Sequence, residues 1–276
     1  MDEALPPAAL AFDSIAAGFD ARFTPWKSVA AQRRAVREAL TETFPVGASL
    51  IEIGGGTGED ALWLAERGRI VLMTDPAPAM VAAAAAKFGA RPGLGTQIVA
   101  AENLEGLATR REVGTDSLFD GAWSNFAGLN CVDDLGSFAR GLARLVRPGA
   151  PVLLVLFGTC SPGEMIVEAL RGRPGNMFRR FARGAVPARL SGHAFTVRYH
   201  RAAALHRAMR PWFEPAGKKG IGVFVPPSAA EPWISRHPRL LDTLERLDRY
   251  FAGALAPLGD HVLHRFVRTD SDGPAP

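Results

Sequence analysis

Short apolar runs and helix-periodic stretches alternate through the first 157 residues. From Ser28, SVAAQRRAVREALTETF places Val29, Val36, Leu40 and Phe44 near one helical face, and Pro45 with Gly47 ends that helix. SLIEI then reads as a buried strand, and LIEIGGGTGED carries it into a loop with glycine at positions 54, 55, 56 and 58. Asp60 to Arg67 reads as a helix closed by Gly68, RIVLMTD as a second strand ending at Asp75, and MVAAAAAKF as a helix capped by Gly89. GTQIVAA and LFDGAWSN supply a third and a fourth strand. In LGSFARGLARLVRPG, the spacing of Leu135, Phe138, Leu142 and Leu145 predicts a helix that stops at Pro148 and Gly149, before a fifth strand from Pro151 to Phe157. Strand and helix alternating at this tempo predict a parallel sheet with helices on both faces.

The pattern loosens on either side. FDSIAAGFDARF has roughly helical spacing and stops at Pro25. Residues 159–193 are basic, punctuated by Gly and Pro, and expected to be helical in pieces. FTVRYH, RAAALHRAM, GIGVFVPP and GDHVLHRFVR then read as strand, helix, strand and strand, with PRLLDTLERLDRYFAGAL an amphipathic helix inserted before the last. No internal repeat is present, and TDSDGPAP reads as a frayed tail.

Composition narrows the class. The chain has 276 residues, 47% hydrophobic and 22% charged, which suits a globular protein with a sizeable core. MDEALPPAAL lacks the basic and apolar regions of a signal peptide, and APVLLVLF is too short to span a bilayer. Cys131 and Cys160 are too few for a disulfide framework or a zinc cluster, so a reducing cytoplasm is the expected location. The net charge of +4 is unevenly spread: Arg171 to Lys219 holds twelve Arg or Lys against one acid, Glu214. Only four lysines occur in the whole chain, so part of this arginine excess reflects coding bias.

The glycine loop admits two readings. GTGEDA fits G-x-G-x-x-A, the signature of a dinucleotide site in an oxidoreductase. Against that reading, Glu52 lies two residues before the first glycine, which gives acid-x-Gly-x-Gly-x-Gly over Glu52, Gly54, Gly56 and Gly58. A helix precedes the first strand, and FDGAWSNFAGLN after the fourth has no role in hydride transfer. With these motifs in this order, the chain resembles the class I S-adenosylmethionine-dependent methyltransferases of small-molecule type, over roughly Phe12 to Phe157.

The resemblance implies an α/β fold: a Rossmann-like doubly wound sheet, mostly parallel with an antiparallel last strand, plus helical cap and lid insertions. The antiparallel end would come from GIGVFVPP and HVLHRFVR. The expected organisation is one domain over 1–276, with a helical cap at 1–46, lid or insertion helices at 159–193 and 234–258, and a tail at 269–276. A non-catalytic cofactor-binding module is a further alternative.

The implied cofactor is S-adenosyl-L-methionine. Gly54, Gly55, Gly56, Thr57 and Gly58 would let backbone approach its methionine part, and Glu52 would attract its ammonium. Asp75, next to Pro76, would accept from the ribose hydroxyls, and Met80 would pack on adenine or else serve as a core residue. The family's Asp for the adenine amino group is replaced by Ala100, leaving Ala101 and Glu102 to substitute. Ser124 and Asn125 match the segment beneath the methionine moiety, and Phe12 and Phe19 resemble aromatics that close over the cofactor.

Methyl transfer needs a general base only when the acceptor must lose a proton. The candidates are His193, His200, Tyr199 and Glu164, while His206, His261 and His264 read as surface or packing residues. No histidine pair has metal-ligand spacing, so no metal is expected. SNFA lacks the prolines of amino-methylating nucleic-acid enzymes, and GTCSPGE lacks the Pro-Cys partner of RNA cytosine methyltransferases. The expected acceptor is therefore a small molecule, anionic or carrier-tethered, enclosed by Phe178, Phe181, Phe195 and Tyr199 among Arg171, Arg173, Arg179, Arg180, Arg183 and Arg198, with Trp26 at the mouth. An RNA methyltransferase using residues 171–219 is the alternative, although that segment holds no recognisable RNA-binding module.

Overall fold

The structure, a computed structural model, describes residues 5–109 and 118–271. Three helices come first: α1 (Pro7–Asp13), α2 (Phe19–Phe23) and α3 (Lys27–Thr43). The alternating core follows as β1 (Ser49–Ile53), α4 (Glu59–Ala65), β2 (Ile70–Asp75), α5 (Pro78–Phe88), β3 (Leu94–Ile98), α6 (Leu104–Thr109), β4 (Gly121–Ser124), α7 (Leu135–Ala143) and β5 (Pro151–Phe157). Beyond it lie α8 (Pro162–Leu170), β6 (Ala185–Leu190), β7 (His193–Arg198), α9 (Ala202–Met209), β8 (Phe213–Ile221), α10 (Pro238–Phe251) and β9 (His261–Arg268). Residues 1–4 of the expected cap and 272–276 of the expected tail lie outside the described residues.

Seven strands form one sheet in the order β3-β2-β1-β4-β5-β9-β8. Strands β1 to β5 are mutually parallel, and β9 runs antiparallel to both β5 and β8. Successive strand residues face opposite sides, so a sheet covered on both faces needs continuous apolar runs. Leu50, Met73, Trp123, Leu153 and Leu263 pack with Val36, Leu40, Leu64 and Phe88 on one side. Ile51, Ile53, Leu72, Leu154 and Phe266 pack with Phe138, Leu142 and Met209 on the other. The doubly wound sheet with its reversed strand is thus present, and both faces carry a core.

Two local readings change. The eighth strand begins at Phe213 rather than in GIGVFVPP, and its middle from Glu214 to Lys218 is exposed. An edge strand with one free side needs little apolar patterning, and lysines there oppose pairing with another chain, so the hydrophobic signal pointed too far along. The second change lies in the lid. Helical pieces run to Phe181, but Ala185–Leu190 then pairs antiparallel with β7 as a separate two-stranded sheet. Ser191 (φ 50°) and Gly192 (φ 87°) form its two-residue turn, the left-handed pair that matches hairpin twist.

The fold delivers strand ends and connecting loops to one edge of the sheet. Gly158, just past β5, sits against the turn before β9: its amide donates to Asp260 O at 2.9 Å, and a Cβ there would lie 2.1 Å from Gly259 O. Backbone cannot swing aside as a side chain can. Gly158→Ala is therefore expected to destabilise the chain by ~1–3 kcal/mol in urea unfolding. Gly253→Ala, where a Cβ would meet nothing within 4 Å, is the control and should stay within ~0.5 kcal/mol of wild type. Equal effects at both positions would refute this packing account.

Candidate functional site

The glycine loop leaves β1 with Gly54, Gly56 and Gly58 at φ of 68°, 58° and 74°, a left-handed path that side chains resist. Gly55 is required for space: a Cβ would come within 2.6 Å of Glu52 Oε2. The path is held from β2. Asp75 Oδ2 accepts from the Gly56 amide at 2.9 Å, and Oδ1 accepts from the Ala77 amide at 2.9 Å. Thr57 Oγ1 donates to Asp20 Oδ1 at 2.6 Å, which ties the loop to α2.

A cavity of about 430 Å³ opens above this loop, within the ~300–1,000 Å³ usual for small-molecule sites. One end is lined by Gly54, Gly55, Gly56, Thr57, Asp75, Pro76, Met80, Ala101 and Glu102, with Phe12 and Phe19 from the N-terminal helices. Gly58 is outside the lining and starts α4, where a Cβ would strike Phe88 at 2.5 Å. Glu102 Oε1 is engaged by the Asp133 amide at 3.2 Å, and Met80 packs with Ala9, Ala16 and Ala77. The floor holds Glu52, Ser124 and Asn125. So the residues read from the glycine motif and the strand ends meet in one place.

Three buried acids share that floor. Asp60 accepts from Arg37 Nε at 2.7 Å and from Asn125 Nδ2 at 2.7 Å, with Arg33 at 3.4 Å. Burial alone would raise its pKa, but Arg33 and Arg37 outweigh it and hold the carboxyl below its ordinary value. Asp75 has only amide partners, and burial leaves it raised. Glu52 is the least compensated. Oε1 accepts from Trp123 Nε1 at 3.1 Å and Oε2 has no partner, so burial, followed by the charge of Asp60, pushes it up to about 8. Ser124 Oγ is likewise buried without a partner.

Away from the glycine loop the cavity is bounded by Phe23, Phe126 and Phe157, and by Glu164, Arg179, Arg180, Asp260 and His261. Arg180, only 5% exposed, donates to Glu164 Oε2 from Nε at 2.9 Å, to Asp260 Oδ1 from Nη2 at 2.6 Å, and to Asp260 O from Nη1 at 2.6 Å. Arg179 Nε donates to Glu164 Oε1 at 2.8 Å. Both cations are thus paired. Phe126 and Ala127 carry φ of 48° and 61°, a conformation that costs energy outside glycine and puts the Phe126 ring edge-on to His261, centroids 5.9 Å apart.

Several expected acceptor residues lie elsewhere. His193 is exposed at the start of β7, and His200 Nε2 contacts Val132 O at 3.1 Å, its pKa lowered by burial. Tyr199 packs behind Phe157 with centroids 5.8 Å apart, and burial raises its pKa. None of the three lines the cavity, whereas Glu164 does, as the partner of two arginines. Phe178 and Phe181 are exposed, Phe195 packs at a tilt against Phe12, and Trp26 packs edge-on to Phe23. The apolar walls come instead from the sheet and α2. Of the basic segment, only Arg179 and Arg180 reach the cavity.

Sequence reading missed Asp60, Arg33, Asp260 and His261. A topological signal existed for the last two. In such sheets ligands sit outside the carboxyl ends of the parallel strands, and a reversed strand brings its first residue to that same edge. His261 is the first residue of β9, paired with Phe157, the last of β5. Among the described residues no cluster of three or more His, Cys, Asp or Glu could hold a metal ion, and no helix is long and apolar enough to cross a membrane.

Comparison with known proteins agrees with this geometry. Residues 51–152 match the family model described as a methyltransferase domain. An S-adenosylmethionine-dependent methyltransferase from Mesorhizobium loti is similar in structure at 18% identity, over 86% of this chain and 98% of that one, with a TM-score of 0.53. The 1,6-didemethyltoxoflavin-N1-methyltransferase of Burkholderia thailandensis, with 1,6-didemethyltoxoflavin and S-adenosylhomocysteine bound, matches at 20% identity over 98% and 93%, TM-score 0.52. Geranyl diphosphate C-methyltransferase of Streptomyces coelicolor A3(2) matches at 14% over 86% and 77%, TM-score 0.50. Among curated proteins, no sequence matches the chain.

The raised pKa of Glu52 has a consequence for stability. In the folded chain its carboxyl stays protonated up to about pH 8, whereas the unfolded chain loses that proton near the ordinary value of 4.5. The folded state therefore binds the extra proton in that window, and stability falls as pH rises through it, by at most ~1.4 kcal/mol per pH unit from this group. Glu52→Gln removes the contribution. Urea unfolding should show the variant gaining on wild type between pH 5 and pH 9, and a pH-independent difference would mean that Glu52 is already ionised when folded.

Proposed function

We propose that the chain is a class I S-adenosylmethionine-dependent methyltransferase and that it methylates a small organic acceptor in the cavity above the glycine loop. One observation carries this reading: the residues fit for the cofactor and the aromatic walls fit for an acceptor line the same cavity. The donor set suits the cofactor. Glu52 Oε2 is a buried, unpartnered carboxylate oxygen, matched to an ammonium whose arrival would favour its ionised form. Asp75 keeps lone pairs for ribose hydroxyls beyond the two amides it already accepts. Met80 offers an apolar wall for adenine, and Ser124 Oγ is available for the methionine part.

When bound, S-adenosylmethionine supplies an electrophilic methyl on a sulfonium, and the leaving thioether is neutral. The chain has to hold the acceptor in line and exclude water. Phe23, Phe126 and Phe157 give that end flat, apolar walls suited to an aromatic or otherwise planar acceptor. Because Arg179 and Arg180 are paired with Glu164 and Asp260, the pocket favours a neutral acceptor over an anionic or carrier-tethered one. The scattering of the other basic residues away from the cavity also argues for a small molecule over RNA.

Isothermal calorimetry with S-adenosylhomocysteine and with NADH tests the cofactor. Heat is expected only with the first, and the reverse pattern would restore the oxidoreductase reading. Asp75→Ala should weaken S-adenosylhomocysteine binding by ~1–3 kcal/mol, because it leaves two hydroxyls poorly paired and the glycine loop untied. An unchanged affinity would remove Asp75 from the site. Filter binding to tRNA at two salt concentrations tests the acceptor class. Tight binding that collapses with salt, together with methyl incorporation into the RNA, would overturn the small-molecule reading.

A further inference from the structure

His261 is 6% exposed, yet it lines the cavity. Its ring stacks on Phe157 at 4.9 Å between centroids and meets the edge of Phe126 at 5.9 Å, so its plane is fixed on two sides. Nδ1 is buried and lies 3.4 Å from Asp260 Oδ2, close enough for electrostatic pairing but short of hydrogen-bond geometry. Asp260 cannot turn away: Oδ1 is held by Arg180 Nη2 at 2.6 Å, and Oδ2 also accepts from Gln32 Nε2 at 3.2 Å. A fixed carboxylate at Nδ1 favours the tautomer with its proton on that nitrogen, which leaves the Nε2 lone pair free. Among the described residues nothing bonds Nε2, whereas His200 has its ring nitrogen on a backbone carbonyl.

From this geometry we propose that His261 is the general base for methyl transfer, oriented by Asp260 as a positioning residue, and that the acceptor is a neutral molecule bearing an acidic proton, of the phenol, enol or azole class. The assignment rests on the methyltransferase reading above. In the step, the acceptor's O–H, N–H or enol proton moves to Nε2, and the freed electron pair forms the bond to the methyl carbon. The carbon–sulfur pair stays on sulfur. Methylated acceptor, imidazolium and S-adenosylhomocysteine result, and solvent takes the imidazolium proton before the next turnover.

The surroundings suit that charge cycle. Asp260 is ionised beside the ring, since His261 and Arg180 outweigh its burial and hold the carboxyl well below the usual range. The remaining charged or titratable groups near the ring are Arg180 and Tyr199 against Phe157, Glu164 and Arg179 behind Arg180, and Arg33 above Phe126. The acids and arginines pair off, so imidazolium forms next to a carboxylate and away from an unpaired cation.

Two measurements test this together. Long-range proton–nitrogen NMR of the histidine rings, on wild type saturated with S-adenosylhomocysteine, should show His261 with Nδ1 protonated and Nε2 bare. An Nε2–H tautomer would overturn the assignment. In Asp260→Asn the amide becomes a donor to Nδ1, so the tautomer should flip while S-adenosylhomocysteine still binds. A ring unmoved by that change would end the positioning role. The second measurement is transfer from methyl-tritiated S-adenosylmethionine to a panel of phenols, 1,3-dicarbonyls and azoles, with tertiary amines and thioethers as proton-free acceptors. Wild type should methylate proton-bearing members, and His261→Gln and His261→Asn should each lose ~10²–10⁴-fold in kcat while binding S-adenosylhomocysteine as tightly as wild type. Retained turnover in either variant, methylation confined to the proton-free members, or no methylation at all would sink the proposal. If S-adenosylhomocysteine gives no heat with wild type, the methyltransferase reading fails along with it; if it binds and only the variants disagree, the base assignment alone fails.

Discussion

One buried guanidinium sets the roof of this site. Arg180 comes from the lid and reaches three partners on three different elements: Glu164 on α8, the carbonyl of Gly158 after β5, and Asp260 before β9. Its plane also lies over Phe157 at 5.0 Å and Tyr199 at 5.7 Å. Burial opposes a charge here, but two carboxylates outweigh it and raise the arginine's already high pKa. Such a cluster adds little net stability over apolar packing, yet losing one member strands the others and costs ~3–5 kcal/mol. Its value is therefore geometric. The lid sits in one place because only there are all three charges satisfied, and Asp260 faces His261 because Arg180 holds its other oxygen.

The opposite end of the cavity follows a different electrostatic logic. Glu52, Asp60 and Asp75 converge there, and the chain neutralises only one of them, through Arg33, Arg37 and Asn125. Asp75 is spent on backbone amides that shape the glycine loop, and Glu52 keeps an oxygen without a partner. A protein built for stability alone would fill that position with an apolar residue, since an unpaired buried carboxyl destabilises the fold. Retaining it makes sense when a cation completes the pair. At the far end Glu164, Asp260, Arg179 and Arg180 are paired within the chain; at the floor one carboxyl oxygen is left without a partner.

This contrast explains how much the sequence revealed. The middle of the sheet was legible because β1, β2, β4 and β5 are buried on both faces, and the glycine loop because its backbone path excludes other residue types. Asp75 and Glu52 were named from the family resemblance and their strand-end positions, and both line the cavity beside that loop. The β6–β7 hairpin was missed although Ser191-Gly192 is a usable two-residue turn, because β6 is partly exposed on alternate residues and includes Pro187. The acceptor end was harder to read. His261 and Asp260 lie more than 200 residues from the glycine motif, and the reversed strand alone brings them to it. Arg180 and Arg173 look alike in the sequence; whether an arginine is a free cation or a buried clamp depends on carboxylates supplied from distant segments.

The N-terminal helices and the hairpin also meet. Helix α1 packs across β7, and Phe12 of the helix meets Phe195 of the hairpin with ring centroids 6.1 Å apart. Phe12 also lines the glycine-loop end of the cavity, while the hairpin is anchored to β5 through Asn130, which donates to Arg198 O at 2.5 Å and accepts from the Phe157 amide at 2.9 Å. The hairpin itself lines none of the cavity; its contact with α1 braces the helix whose Phe12 does. The far end joins apolar walls to Glu164, Arg179, Arg180, Asp260 and His261. Under the proposed reaction the walls would set the line of attack, the paired charges would hold the histidine in place, and removal of a proton would be the task left to it.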